Sequence, residues 1–279
     1  MPRFMKKRDA SNQSDEKTTD LSPSKKIHPM PVAAPETDPA SGGWSAPVYT
    51  RSREVRIKKN KAVENRIVGF CPEAPENEYY KVLRTQIQQR AEARGWNTIM
   101  ITSALPEEGK TVTAINLAMA FARVMERTAL LVDCDLRHPW VHKYLGFRNE
   151  AGLVDYLLGE RLLEEIIVWP GVEKLSLISG GRKYREGAEL LGSGRMGDLM
   201  AEMKHRYPDR YILFDTPALL DGAEALSLMP WVDGVLMVVA EGRTGMEAVK
   251  EALERIPEGK FLGFAMNRQR RVRMTNRRR

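Results

Sequence analysis

A lysine and a hydroxyl placed directly behind a glycine suit the holding of phosphate, and Gly109-Lys110-Thr111 provides that combination. The surrounding stretch, SALPEEGKT over 103–111, lies between an apolar run, TIMITS, and a segment with helical character. The usual pattern is GxxxxGK[ST]; Ala104 stands here where the first glycine would be. In such a loop, backbone N–H groups and the N-terminus of the following helix face phosphate oxygens. The candidate nucleotide-binding residues are therefore Ser103, Pro106, Glu108, Gly109, Lys110, Thr111 and Val112. Lys110 would neutralise the β and γ phosphates, and the Thr111 hydroxyl would ligate Mg²⁺.

Carboxylates follow at the ends of two later apolar runs. LLVDCDLRHP offers Asp133 and Asp135, and YILFDTP offers Asp215. A carboxylate at such a position holds Mg²⁺ directly or through water. One acid after a hydrophobic run is usually a turn residue, whereas three at the sheet edge that carries a phosphate loop form a set. Arg137 and His138 follow Asp135; Arg137 could meet a phosphate or form a structural ion pair.

To bring these groups together, the chain must place several strands side by side. Short apolar runs at TIMITS, TALLVDCDL, KLSLISGG, YILFDTP, GVLMVVAE and FLGFAMN read as buried strands. TVTAINLAMAFARVMER and TGMEAVKEALERI read as amphipathic helices, GLVDYLLGERLLEEII as short helices, and AELLGSGRMGDLMAEMKHRY as helical from about Ser193. ENEYYKVLRTQIQQRAEARG is a helix with Tyr79, Leu83, Ile87 and Tyr80 toward one face. Strands alternating with helices predict an α/β domain, a mostly parallel sheet with helices on both faces. Ligands of such sheets bind beyond the strand C-termini.

Charge divides along the chain. Residues 1–66 carry 14 Lys/Arg against 8 Asp/Glu, and residues 268–279 carry 7 Arg and no acid. The segment between has 23 basic and 29 acidic residues, so the overall +7 belongs to the ends. That argues against nucleic acid as a partner and fits an anionic membrane surface or an acidic protein. Residues 1–65 read as a disordered basic segment, 66–267 as the domain, and 268–279 as an Arg-rich tail. The stretch REVRIKKNKAVENRIVGF is a place where order could begin. No apolar run approaches the roughly 18–20 residues of a membrane span, and the N-terminus lacks a signal-peptide core. Cys71 and Cys134 show no metal or redox spacing. A cytoplasmic protein, peripheral at the inner face of the plasma membrane, is the expectation.

SALPEEGKT, LLVDCDLRHP and YILFDTP resemble the Walker A, Walker A′ and Walker B motifs of the bacterial tyrosine kinases. These are the cytoplasmic autokinases of capsule and exopolysaccharide export, and the likeness is greatest to the subgroup of exosortase-linked loci. It covers roughly residues 76–267. The resemblance implies a P-loop NTPase fold, ATP and Mg²⁺ as cofactors, and transfer of phosphate to tyrosine. Lys110, Asp133 and Asp135 would be catalytic, with Asp133 either activating the tyrosine hydroxyl or helping to hold metal. Thr111, Asp133 and Asp215 would form the metal site, and Asn267 would contact adenine or cap a strand end. It also implies a homo-oligomer docked on the cytoplasmic portion of a membrane chain-length, or co-polymerase, protein. Related partitioning and septum-site ATPases carry a signature lysine where Leu105 stands here.

Three departures from the family's pattern bear on activity. Glu107 stands where the family loop PGEGK has glycine, adding a carboxylate near phosphate. The oligomerisation motif ExxRxxR becomes Glu78, Lys81 and Arg84, losing one guanidinium fork but no charge. All eight tyrosines lie at or before Tyr211, so the C-terminal acceptor cluster of the family is missing. An ATP-switched assembly module without kinase activity, or a partitioning-type ATPase, remains the alternative.

Overall fold

The longest β-rich runs with every residue buried are β2 (Thr98–Ser103), β3 (Thr128–Asp133), β6 (Arg210–Asp215) and β7 (Gly234–Ala240). Strands so apolar must be covered on both faces. In the computed structural model, which describes residues 53–206 and 209–269, they form the middle of one sheet. Its other members are β1 (Arg53–Glu54), β4 (Ile167–Trp169), β5 (Leu175–Ile178) and β8 (Phe261–Asn267). The order is β1-β4-β5-β3-β6-β2-β7-β8. Every pairing is parallel except β4 with β5. The last two strands at that edge therefore run against the other six.

Side chains alternate along each strand, and the core divides accordingly. Ile99 and Ile101 of β2 face a layer made by α1 (Lys59–Glu64), α2 (Glu76–Glu92), α3 (Lys110–Ala122) and α4 (Val141–Leu145). Met100 faces the opposite layer. That layer comprises α5 (Leu153–Leu157), α6 (Leu163–Ile166), α7 (Gly187–Leu191), α8 (Gly194–Arg206), α9 (Glu224–Leu228) and α10 (Met246–Glu254). α3 is buried almost all round, from Thr113 to Ala122. Its alanines let it lie close against β2 and β3, which fixes the helix that follows the phosphate loop.

Structure is already present before residue 66, in the stretch where order could begin: Arg53 and Glu54 pair with Val168 and Trp169, and the Val55 N–H donates to Trp169 O at 2.9 Å. Only Val55, Ala62 and Ile67 are buried in this charged stretch, too few to show a period. One expectation is corrected: on α2 the inward stripe is Tyr80, Leu83, Ile87 and Ala91, while Tyr79 is 69% exposed. Residues 1–52, read as disordered, and all of the Arg-rich tail beyond Gln269 lie outside the described residues.

Candidate nucleotide and metal site

β2, β6 and β3 are neighbours, so their C-terminal ends bring Ser103, Asp215 and Asp133 together. Asp133 and Asp215 are register partners on adjacent parallel strands. The chain leaves β2, turns through the loop, and enters α3 at Lys110 with Gly109 as N-cap at φ 92°. A Cβ at Gly109 would lie 2.0 Å from Asn267 Nδ2, so only glycine fits there. Ser103 Oγ donates to Leu105 O at 2.7 Å and fixes the start of the turn.

Lys110 Nζ lies 3.7 Å from Asp135 Oδ2. The other oxygen of Asp135 accepts the His138 N–H at 3.0 Å. Asp133 accepts the Asp135 N–H at 3.2 Å and the Val141 N–H, at the head of α4, at 3.1 Å. Asp215 is different: both of its carboxylate oxygens are buried and neither has a hydrogen-bond partner. The Thr111 hydroxyl lies beside it.

Burial pushes all three acids up. Asp133 is raised well above the usual carboxylate range, by desolvation first and then by the charge of Asp215, against the Val141 N–H. Asp215 rises to about 7, desolvation outweighing Lys110 and the Thr111 hydroxyl. Asp135 rises less freely because Lys110 opposes its desolvation. Acids this dry and this close call for a cation. Among the described residues no three His, Cys, Asp or Glu groups converge as a complete metal cage. A Mg²⁺ here would therefore share its shell among Asp215, Thr111, phosphate and water, which is its habit. The orphaned oxygens of Asp215 and the adjacent hydroxyl fit it.

The structure gathers Ser103, Pro106, Glu108, Gly109, Lys110, Thr111 and Val112 into one loop and helix start, with Asp133, Asp135 and Asp215 beside Lys110 and Thr111. Asn267 reaches the same loop from the end of β8, donating to Glu108 O at 2.8 Å. Glu108 is 3% exposed; its carboxylate accepts the Leu105 N–H at 2.9 Å and the Thr244 hydroxyl. Arg137 pairs with the buried Glu224, so its guanidinium is committed to the fold. The three residues expected to join copies divide. Lys81 pairs with Glu78 at 3.0 Å on the exposed face of α2, whereas Arg84 turns onto α3 and donates to Ala120 O at 3.2 Å. Thr244 and Arg268, which both hold the loop, carry no motif that sequence reasoning could have caught.

A glycine-lysine-threonine turn leaving the centre of a parallel sheet, with acids closing the strands alongside, defines a P-loop nucleotide-binding protein of the α/β class. No family model matches the sequence. Tyrosine-protein kinase YwqD of Bacillus subtilis is 35% identical over 216 residues, covering 76% of this chain and 90% of that protein. CpsD, a tyrosine-protein kinase of Streptococcus pneumoniae, is 32% identical over 68% of this chain and 83% of its own length. The kinase domain of Escherichia coli tyrosine kinase ETK superposes with a TM-score of 0.64 at 27% identity, covering 70% of this chain and 77% of that one. The chain belongs to the bacterial tyrosine-protein kinase family. Some relatives are much longer: it spans about a quarter of Wzc and of the succinoglycan transport protein ExoP.

Proposed function

We propose that the chain is an ATP- and Mg²⁺-dependent protein-tyrosine kinase acting in exopolysaccharide or capsule polymerisation and export. The observation that carries this reading is the cluster of Lys110, Thr111, Asp133, Asp135 and Asp215 at one sheet edge. Backbone N–H groups of the loop and of the α3 N-terminus would receive the phosphates. Lys110 would exchange Asp135 for phosphate oxygens, and Thr111 with Asp215 would hold the metal. Asp133, raised in pKa and fixed by two N–H groups, would take the proton of an incoming phenol. Bound Mg·ATP supplies the phosphoryl group and the positive charge that offsets the acids.

No residue after Tyr211 in this sequence is tyrosine. An acceptor within it must lie earlier, and among the described tyrosines Tyr79 is the exposed one. A tyrosine of another protein is equally compatible with the open edge. Glu78 and Lys81, free of the core, would serve a homo-oligomer. A membrane co-polymerase partner is supported by the likeness to ExoP, which is named a succinoglycan biosynthesis transport protein. The basic ends would add contact with an anionic membrane surface. Among the described residues no helix is long and apolar enough to cross a membrane.

Incubating the purified chain with radiolabelled ATP and Mg²⁺, then mapping phosphotyrosine by mass spectrometry, tests the reading. Label that disappears in Lys110→Met supports it. No phosphotyrosine with any candidate partner overturns it. If nucleotide then still changes oligomer size, the chain is an ATP-switched assembly module, a reading that Glu107 beside the phosphate position favours.

A further inference from the structure

Glu107 has φ 62°, a left-handed conformation that glycine enters without penalty and a glutamate resists. Its neighbours show what holds it there. Arg268 Nη2 donates to Glu107 O at 2.5 Å, and Asn267 Nδ2 donates to Glu108 O at 2.8 Å. Asn267 Oδ1 accepts the Arg268 N–H at 2.8 Å, so the two residues brace one another. Arg268 itself sits at φ 59°, turned back from the end of β8. In a trans peptide the N–H points opposite to the carbonyl. Gripping the carbonyls of Glu107 and Glu108 from β8 therefore turns the N–H groups of Glu108 and Gly109 to the other side, where a phosphate would lie.

We propose that Arg268, braced by Asn267, is a positioning residue that holds the phosphate loop in a turn its own sequence disfavours, and so offsets the missing glycine at position 107. This rests on the nucleotide-binding reading above. Two rival roles exist for a cation here. Arg268 could act only through its charge on an anionic ligand, or it could be a latch that must release before nucleotide enters.

A double-mutant cycle on the full chain separates them, with a fluorescent ADP analogue and Mg²⁺ as the probe. Arg268→Ala should weaken binding about tenfold in the native background and less than about twofold in the E107G background. Arg268→Lys, which keeps the charge but loses the fork, should recover only part of the loss. Equal losses in both backgrounds would leave charge alone and overturn the proposal. Tighter binding by Arg268→Ala would establish a latch and overturn it too. Hydrogen exchange on the ligand-free chain gives a readout independent of nucleotide. The Leu105 amide, which donates to the Glu108 carboxylate at 2.9 Å, should exchange faster in Arg268→Ala, and an unchanged rate would count against the clamp. Should the native chain bind no nucleotide, the function reading fails while the exchange result still decides the clamp.

Discussion

Asp215 carries more of the site's physics than its neighbours because neither of its buried oxygens has a well-formed hydrogen bond and only the Thr111 hydroxyl and Lys110 oppose its desolvation. Its pKa, raised from the ordinary value to about 7, makes the ligand-free fold favour the protonated acid. The stability linked to this group is full below about pH 4 and is lost as pH rises through about 7. Above that, the buried anion withholds on the order of 4 kcal/mol from the empty fold. Thermal melts of the apo chain should accordingly fall between about pH 4 and 7, while Mg²⁺ affinity climbs over the same window because metal and proton compete. Asp215→Asn should raise the apo stability at pH 8 by about 1–3 kcal/mol, yet weaken Mg²⁺-dependent nucleotide binding at least about tenfold. Calorimetry of both forms, with and without Mg²⁺, checks the pair of effects. Gly109→Ala has the opposite character. With φ 92° and Asn267 in the way, it should cost about 1–3 kcal/mol and displace the loop, lowering binding and stability together.

Helix α2 separates two jobs along one surface. Arg84 lies against the last turn of α3 and meets a helix-end carbonyl, Ala120 O, which also accepts the Arg123 N–H at 3.3 Å. Arg84→Ala should lower monomer stability by about 1 kcal/mol. Glu78 and Lys81 form an exposed pair worth about 0–1 kcal/mol, so Glu78→Lys should leave the melting temperature nearly unchanged. If that face joins copies, the same change should reduce oligomer size, which light scattering reads directly. The strands were legible because β2, β3, β6 and β7 are unbroken apolar runs of strand length, and α2 because its stripe repeats at three and four residues. β1 and β4 were not, since two or three residues show no period and Arg53 and Glu54 are charged. Tyr79 was misplaced because two adjacent tyrosines offer the helical period two phases, and packing selected Tyr80.

At the scale of the molecule, sequence order hides the arrangement that matters. β3 and β2 flank β6 in the sheet, although β6 comes much later in the chain than both. The alternation of strand and helix was enough to expect one ligand-binding edge, and so to place Lys110, Asp133, Asp135 and Asp215 near each other. Distances, the burial of Glu108 and the loop's grip from β8 depend on long-range packing that no local motif encodes. The antiparallel β4 and the short β1 close the far edge, with Val55 buried over it. Val55→Asp should therefore cost about 2–4 kcal/mol, and it should do so without altering nucleotide affinity per folded molecule. Denaturant melts together with binding titrations separate those two quantities.

Asp133 and Asp215, paired in register on adjacent strands, should also shorten the survival of an empty molecule. Two acids held side by side in a dry place make the unliganded chain its own weakest form. A ligand that supplies cation and phosphate at 100 times its dissociation constant adds about 2.7 kcal/mol to the folded state. Proteases that attack transiently open chains would then clear the protein fastest when nucleotide is scarce. Abundance, and not only turnover, becomes a readout of energy supply.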